Sequence, residues 1–115
     1  MFSKKQISLA ETVIKSCKKN SLWLATAESC TGGLIAGCLT SVPGASDVLH
    51  HGFITYSNNA KINLLGVERE NLDEYGAVSE TVSRAMAQGA IGSPDVDIAV
   101  SATGIAGPGG GTEQK

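Results

Sequence analysis

The chain has 115 residues, a formal net charge of −2 and 4% aromatic residues, which suits one domain able to bury roughly two-thirds of its unfolded surface. The absence of a basic cluster and the scarcity of rings disfavour nucleic acid as a partner, and no apolar run reaches the ~20 residues of a membrane span. Cys17, Cys30 and Cys38 form an odd set without a C-x-x-C pair, which points to reduced thiols and a cytoplasmic location.

Ser3 and Gln6 match a capping box. Ile7, Ala10, Val13, Ile14 and Cys17 follow as one apolar stripe, with Lys15, Lys18 and Lys19 crowding the far end. A helix is predicted over 4–19, with no signal-peptide core behind Lys4 and Lys5. A strand is predicted over 22–27. The stretch TAESCTGG, Thr26 to Gly33, then reads as a strand that stops, turns and opens a helix running to about Thr40. This reading puts Ser29 and Cys30 near the first helical turn, close to unpaired N–H groups that could hold an oxyanion. The same residues suit a plain helix cap. Pro43-Gly44 closes the segment.

A second strand is predicted over 48–57, rich in strand-favouring residues. It contains His50 and His51. Adjacent strand residues face opposite ways, and no Cys, Asp or Glu set accompanies them. They are read as surface or packing residues, and no metal site is expected. Asn58 and Asn59 mark a strand-to-helix junction, and Ile62, Leu64, Leu65 and Val67 follow with Gly66 as a C-cap. A short helix or turn is predicted over 69–75. Ser79 caps a helix over 80–91 whose core face is Val82, Ala85, Met86 and Ala90. The apolar run 96–102 suits a strand covered on both faces. The glycine-rich TGIAGPGGG ends the pattern. Strands alternating with helices predict an α/β layered domain. The chain stops directly after a buried strand and a glycine loop, and a truncated form of something longer is expected.

Ser29 needs a base. A Ser-His-Asp set would have to use His50 or His51, and nothing supports it. The G-x-S-x-G signature is absent. Lys61 opens a helix just after a strand, where it could project over the end of a sheet. To act as a base it must be neutral, so its pKa has to fall from ~10.4 towards 7–8. The ordinary alternative is a solvated helix lysine. Tyr56 could relay protons or orient Lys61, or could be a core aromatic. The Tyr56–Lys61 spacing is one residue longer than the Tyr-x-x-x-Lys of short-chain dehydrogenases, and no G-x-G-x-x-G follows the first strand, so that idea is set aside. Gly104, Gly107, Gly109, Gly110 and Gly111 could bring N–H groups to a phosphate, although the Walker ending is missing, or could form a surface loop. Cys30 is a rival nucleophile or a small buried hydrophobe. With no Cys–His pairing visible, Ser29 is preferred.

The motifs TAESCTGG, GFITYSNNAK, YGAVSE and SATGIAGPGGG, in this order, resemble the CinA C-terminal domain family, which includes the nicotinamide-nucleotide amidohydrolases. The resemblance covers nearly the whole chain. It implies a three-layer α/β/α sandwich that hydrolyses the amide of nicotinamide mononucleotide to the acid and ammonia, with a Ser–Lys mechanism and no metal or cofactor. By position, Ser29 would be the nucleophile, Lys61 the general base and Tyr56 an assisting hydroxyl. Cys30, Thr31, Gly32 and Gly33 would supply backbone groups to the oxyanion and substrate. Thr103, Gly104, Ile105, Ala106 and Gly107 would line the nucleotide site. The expected partners are the mononucleotide and further copies of the chain, with neither nucleic acid nor membrane. Family members continue past the glycine loop with another strand and a C-terminal helix, so residues 1–115 are expected to form an incomplete sheet of weakened activity. The reading from another class is a catalytically silent nucleotide-binding or interaction domain tied to competence.

Overall fold

The computed structural model describes residues 1–105. Helix α1 spans Lys4–Lys19, strand β1 Leu24–Glu28 and helix α2 Leu34–Thr40. A 3₁₀ turn, Ala45–Asp47, leads into β2, Leu49–Ile54. Helices α3 (Asn58–Leu65), α4 (Arg69–Tyr75) and α5 (Glu80–Ala90) precede β3, Ile98–Ala102. The capping box at Ser3 and Gln6 is formed. Ser79 caps α5 through the Val82 amide, and Gly66 ends α3 in the left-handed region at φ 68°.

The strands form a parallel sheet in the order β2-β1-β3. Helices cover it on both sides, as the α/β/α layering requires. On one side Ala10, Ile14 and Cys17 of α1 and Leu39 of α2 pack with Leu24 and Val48. On the other, Leu65, Leu72, Val82, Met86 and Ala90 pack with Ala25 and Ala27. Each helix supplies an apolar stripe and hides it against the sheet, which is the main source of its stability. Gly89 lets α5 approach the end of α3, because a Cβ there would collide with the Leu65 backbone. Gly52 is required in the same way: a side chain would meet the Thr26 hydroxyl.

Three expectations change. Helix α2 begins at Leu34, after Gly32 and Gly33 at φ 58° and 98°. Ser29 and Cys30 therefore lie in a loop and not in a first helical turn, because two successive left-handed residues cannot continue a right-handed helix. Among the described residues, strand β3 is covered on one face only. Ala99 packs against the α5 side, while Ile98 and Val100 are exposed. Finally, β2 carries one extra residue: Leu24 pairs with Leu49 but Ala25 with His51. This bulge breaks the side-chain alternation and brings His50 and His51 together.

Candidate active site

The chain leaves β1 towards β2 on one side, while β3 lies on the other. The carboxyl ends of β1 and β3 therefore flank a switch point, where open α/β sheets form their ligand crevices. Ser29 follows β1 directly and is buried. Its amide N–H donates to the Ala102 carbonyl at 2.9 Å, which ties it to the end of β3.

Lys61 reaches the same point from the first turns of α3. Ser57 starts that helix, its side chain accepting from the Ala60 N–H, so the fourth helical residue is aimed back over the strand ends. Lys61 is 1% exposed, against the solvated fate usual for lysine. Its Nζ lies 3.0 Å from Ser29 Oγ, 2.8 Å from the Thr55 carbonyl oxygen and 3.3 Å from that of Tyr56. No carboxylate bonds to it among the described residues. Burial pushes its pKa below the ordinary lysine value, opposed by a smaller charge interaction with Cys30. As an ammonium it donates to all three oxygens. As a neutral amine it donates to the two carbonyls, leaving its lone pair for the Ser29 O–H. Desolvation favours the second state.

Among the described residues, the other fully buried charged side chain is Glu28, 1% exposed. It is turned away from Lys61, and its two carboxylate oxygens accept from the N–H groups of Ile35 and Ala36 at 2.9 and 3.0 Å. Gly33 has no side chain to cap α2, so Glu28 satisfies those amides instead. That arrangement anchors both ends of the loop Ser29–Gly33. The amides of Cys30 and Thr31 donate to no protein acceptor among the described residues.

Ser29, Lys61, Cys30, Thr103, Gly104 and Ile105 line one cavity of about 270 Å³, together with Tyr56 and Asn58. Tyr56 is 71% exposed. It is neither a core aromatic nor hydrogen-bonded through its hydroxyl among the described residues, and it meets Lys61 through its carbonyl. Thr31 instead borders an apolar groove between α1 and α2. Gly32 and Gly33 shape the loop without lining the cavity. Thr103 is held by its hydroxyl donating to the Ala77 carbonyl at 2.8 Å. Ala106, Gly107 and the following glycines lie outside the described residues. Ala77 and Val78 complete the wall. They belong to YGAVSE but carry no reactive group, so no chemical signal singles them out. Glu28 was likewise passed over, because its partners are backbone amides.

A model of the CinA C-terminal domain matches residues 6–115. The chain belongs to the CinA C-terminal domain family. It is 55% identical over 108 residues to a CinA-like protein of Chlorobium limicola, covering 94% of this chain and 25% of that one. A CinA-like protein of Chloroherpeton thalassium is 51% identical over 115 residues, covering 100% and 27%. The chain thus spans about a quarter of the length of these curated relatives. Among solved structures, it is similar to the competence/damage inducible protein CihA from Agrobacterium tumefaciens, with a TM-score of 0.94 and 47% identity, covering 100% of this chain and 70% of that one. A competence-damaged protein (CinA) superfamily protein from Escherichia coli gives a TM-score of 0.89 and 36% identity, covering 96% and 66%. Among the described residues of this family member, no helix is long and apolar enough to cross a membrane.

Proposed function

We propose that this CinA-family domain is an amidohydrolase acting on nicotinamide mononucleotide, with a Ser–Lys mechanism. The observation that supports it most is the buried Lys61 amine 3.0 Å from Ser29 Oγ, with no carboxylate among the described residues to hold it charged. In this reading neutral Lys61 takes the Ser29 proton as Oγ attacks the amide carbonyl. The oxyanion that forms is met by the N–H groups of Cys30 and Thr31, which have no acceptor among the described residues. Lys61 then passes the proton to the leaving nitrogen, and ammonia departs. Water, activated by the same amine, cleaves the acyl–Ser29 ester and releases nicotinate mononucleotide. The naming of the substrate rests on the family resemblance. The cavity supports a small-molecule acyl substrate.

The experiment is ammonia release from nicotinamide mononucleotide at saturating substrate. Ser29→Ala is expected to abolish it and Cys30→Ala to retain most of it. A dead Cys30 variant beside an active Ser29 variant would reverse the assignment of the nucleophile. Substrate binding without ammonia release in the wild type would favour the silent nucleotide-binding domain.

A further inference from the structure

We propose that Gly104 and Cys30 form a notch beside Ser29 that sets the shape of the acyl group the site accepts, admitting flat groups and excluding those branched next to the carbonyl. The inference rests on reading Ser29 as the nucleophile. Cys30 and Gly104 each lie two residues beyond Glu28 and Ala102, the last pair in the register of β1 with β3. The Ser29 amide, donating to the Ala102 carbonyl at 2.9 Å, keeps the two segments side by side past the end of the sheet. Both residues line the cavity that holds Ser29 and Lys61.

Gly104 does not serve its own backbone. Unlike Gly32 and Gly33 it is outside the left-handed region, so an L-residue can take its conformation. What its missing side chain leaves is room. A Cβ at Gly104 would have one neighbour within 4 Å among the described residues, Cys30 Sγ at 3.4 Å. At Gly52 and Gly89, by contrast, a Cβ would collide with its surroundings. The space over Gly104 Cα is therefore open to the cavity and bounded on one side by the thiol. A substrate atom can stand where a methyl group would.

For Oγ to attack, the acyl carbon comes to about 3–3.5 Å from Ser29 Oγ. The group it carries then lies beside the next residue, Cys30. A group conjugated with the carbonyl presents one flat face, which settles on the bare Gly104 backbone. Close approach of a ligand to the main chain is a recurrent use of glycine, and a polarisable sulfur packs well beside a ring. A tetrahedral carbon bearing two branches would drive one of them into Gly104 or the Cys30 sulfur. The cavity, about 270 Å³, is smaller than the ~300–1,000 Å³ of sites that enclose a drug-sized ligand. It suits the reacting end of a molecule, with the remainder leaving past the exposed Tyr56.

The test uses the full chain and three serine-directed probes: methanesulfonyl, benzenesulfonyl and isopropylsulfonyl fluoride. In each, Ser29 Oγ bonds to sulfur, the S–F bond breaks, fluoride leaves and Lys61 takes the proton. Labelling is followed by the mass of the Ser29 peptide. The wild type should accept the methane and benzene probes and resist the branched one. Gly104→Ala should lower the benzene-to-methane ratio of labelling rates by about 10–200-fold, the range one methylene commands in a pocket. Cys30→Ala, which widens the notch, should raise the isopropyl-to-methane ratio. Each ratio is taken within one variant, so a general loss of Ser29 reactivity cancels. Wild-type ratios in either variant, or a wild type that takes the branched probe as readily as the flat one, would overturn the notch and leave the Ser–Lys reading standing. A wild-type Ser29 unlabelled by all three probes would overturn that reading and the notch with it.

Discussion

The two ends of this sheet each press two proton-carrying groups together, Lys61 on Ser29 at 3.0 Å and His50 on His51 at 2.7 Å. What separates them is water. At the carboxyl end the amine is buried beneath α3 and the loop after β1, and burial lowers its pKa. At the amino end the imidazoles sit on an edge strand with one ring partly in solvent. Similar contacts thus sit in different settings. A desolvated amine can serve as a base, whereas the two imidazoles share a hydrogen bond at the edge of the sheet. Elsewhere the same residue type does neither: Lys18 pairs with Asp47 at 3.2 Å with both side chains 60% exposed, a contact expected to matter little.

The largest expected effect breaks the buried end. Lys61→Met keeps the apolar stem but removes the amine, and should cost amide hydrolysis the ~10²–10⁴-fold of a lost general base. The pH dependence has a definite sign. Activity requires neutral Lys61 and rises with pH through its lowered pKa. The same shift acts on stability. Between the lowered folded pKa and the ordinary lysine value, the unfolded chain holds the extra proton, so stability rises with pH across that window. Thermal melts in a pH series should show this slope in the wild type and its loss in Lys61→Met.

A smaller effect probes the support of that end. Gly89→Ala should push α5 against the Leu65 backbone and destabilise the fold by about 1–3 kcal/mol, as overpacking does. Denaturant midpoints would measure it. No larger, and more local, is the effect of Glu28→Gln. One amide oxygen cannot replace two carboxylate oxygens on the Ile35 and Ala36 N–H groups, and an unmet buried donor costs about 1–3 kcal/mol at most. Turnover should fall with Tm in that variant because the Ser29 loop loses its anchor. A Glu28 variant that kept full turnover would show that the loop does not depend on this cap.

Much of this was legible in the chain. Periodicity placed α1 and α5 and their core faces, and the alternation of strands and helices led to the layered fold. Ser29 and Lys61 were legible as candidates because each follows a strand and few other reactive groups are available. Their contact was not legible, because it depends on how deeply α3 seats Lys61. Glu28 was hidden for a different reason: a carboxylate whose partners are backbone amides leaves no matching side chain to find. That His50 and His51 meet was not legible, because strict two-residue alternation was assumed and the bulge shows only in the strand register. The open face of β3 was not legible from Ile98 and Val100 themselves, which are as apolar as buried residues, because hydrophobicity alone does not say whether a covering layer is present.

The central claim is that burial holds Lys61 as a neutral amine beside Ser29. NMR titration of the lysine side-chain signals, with Lys61 assigned by its loss in Lys61→Met, tests it without any substrate. The account predicts that Lys61 titrates below the ordinary lysine value. A Lys61 signal that titrates at or above that value would contradict it.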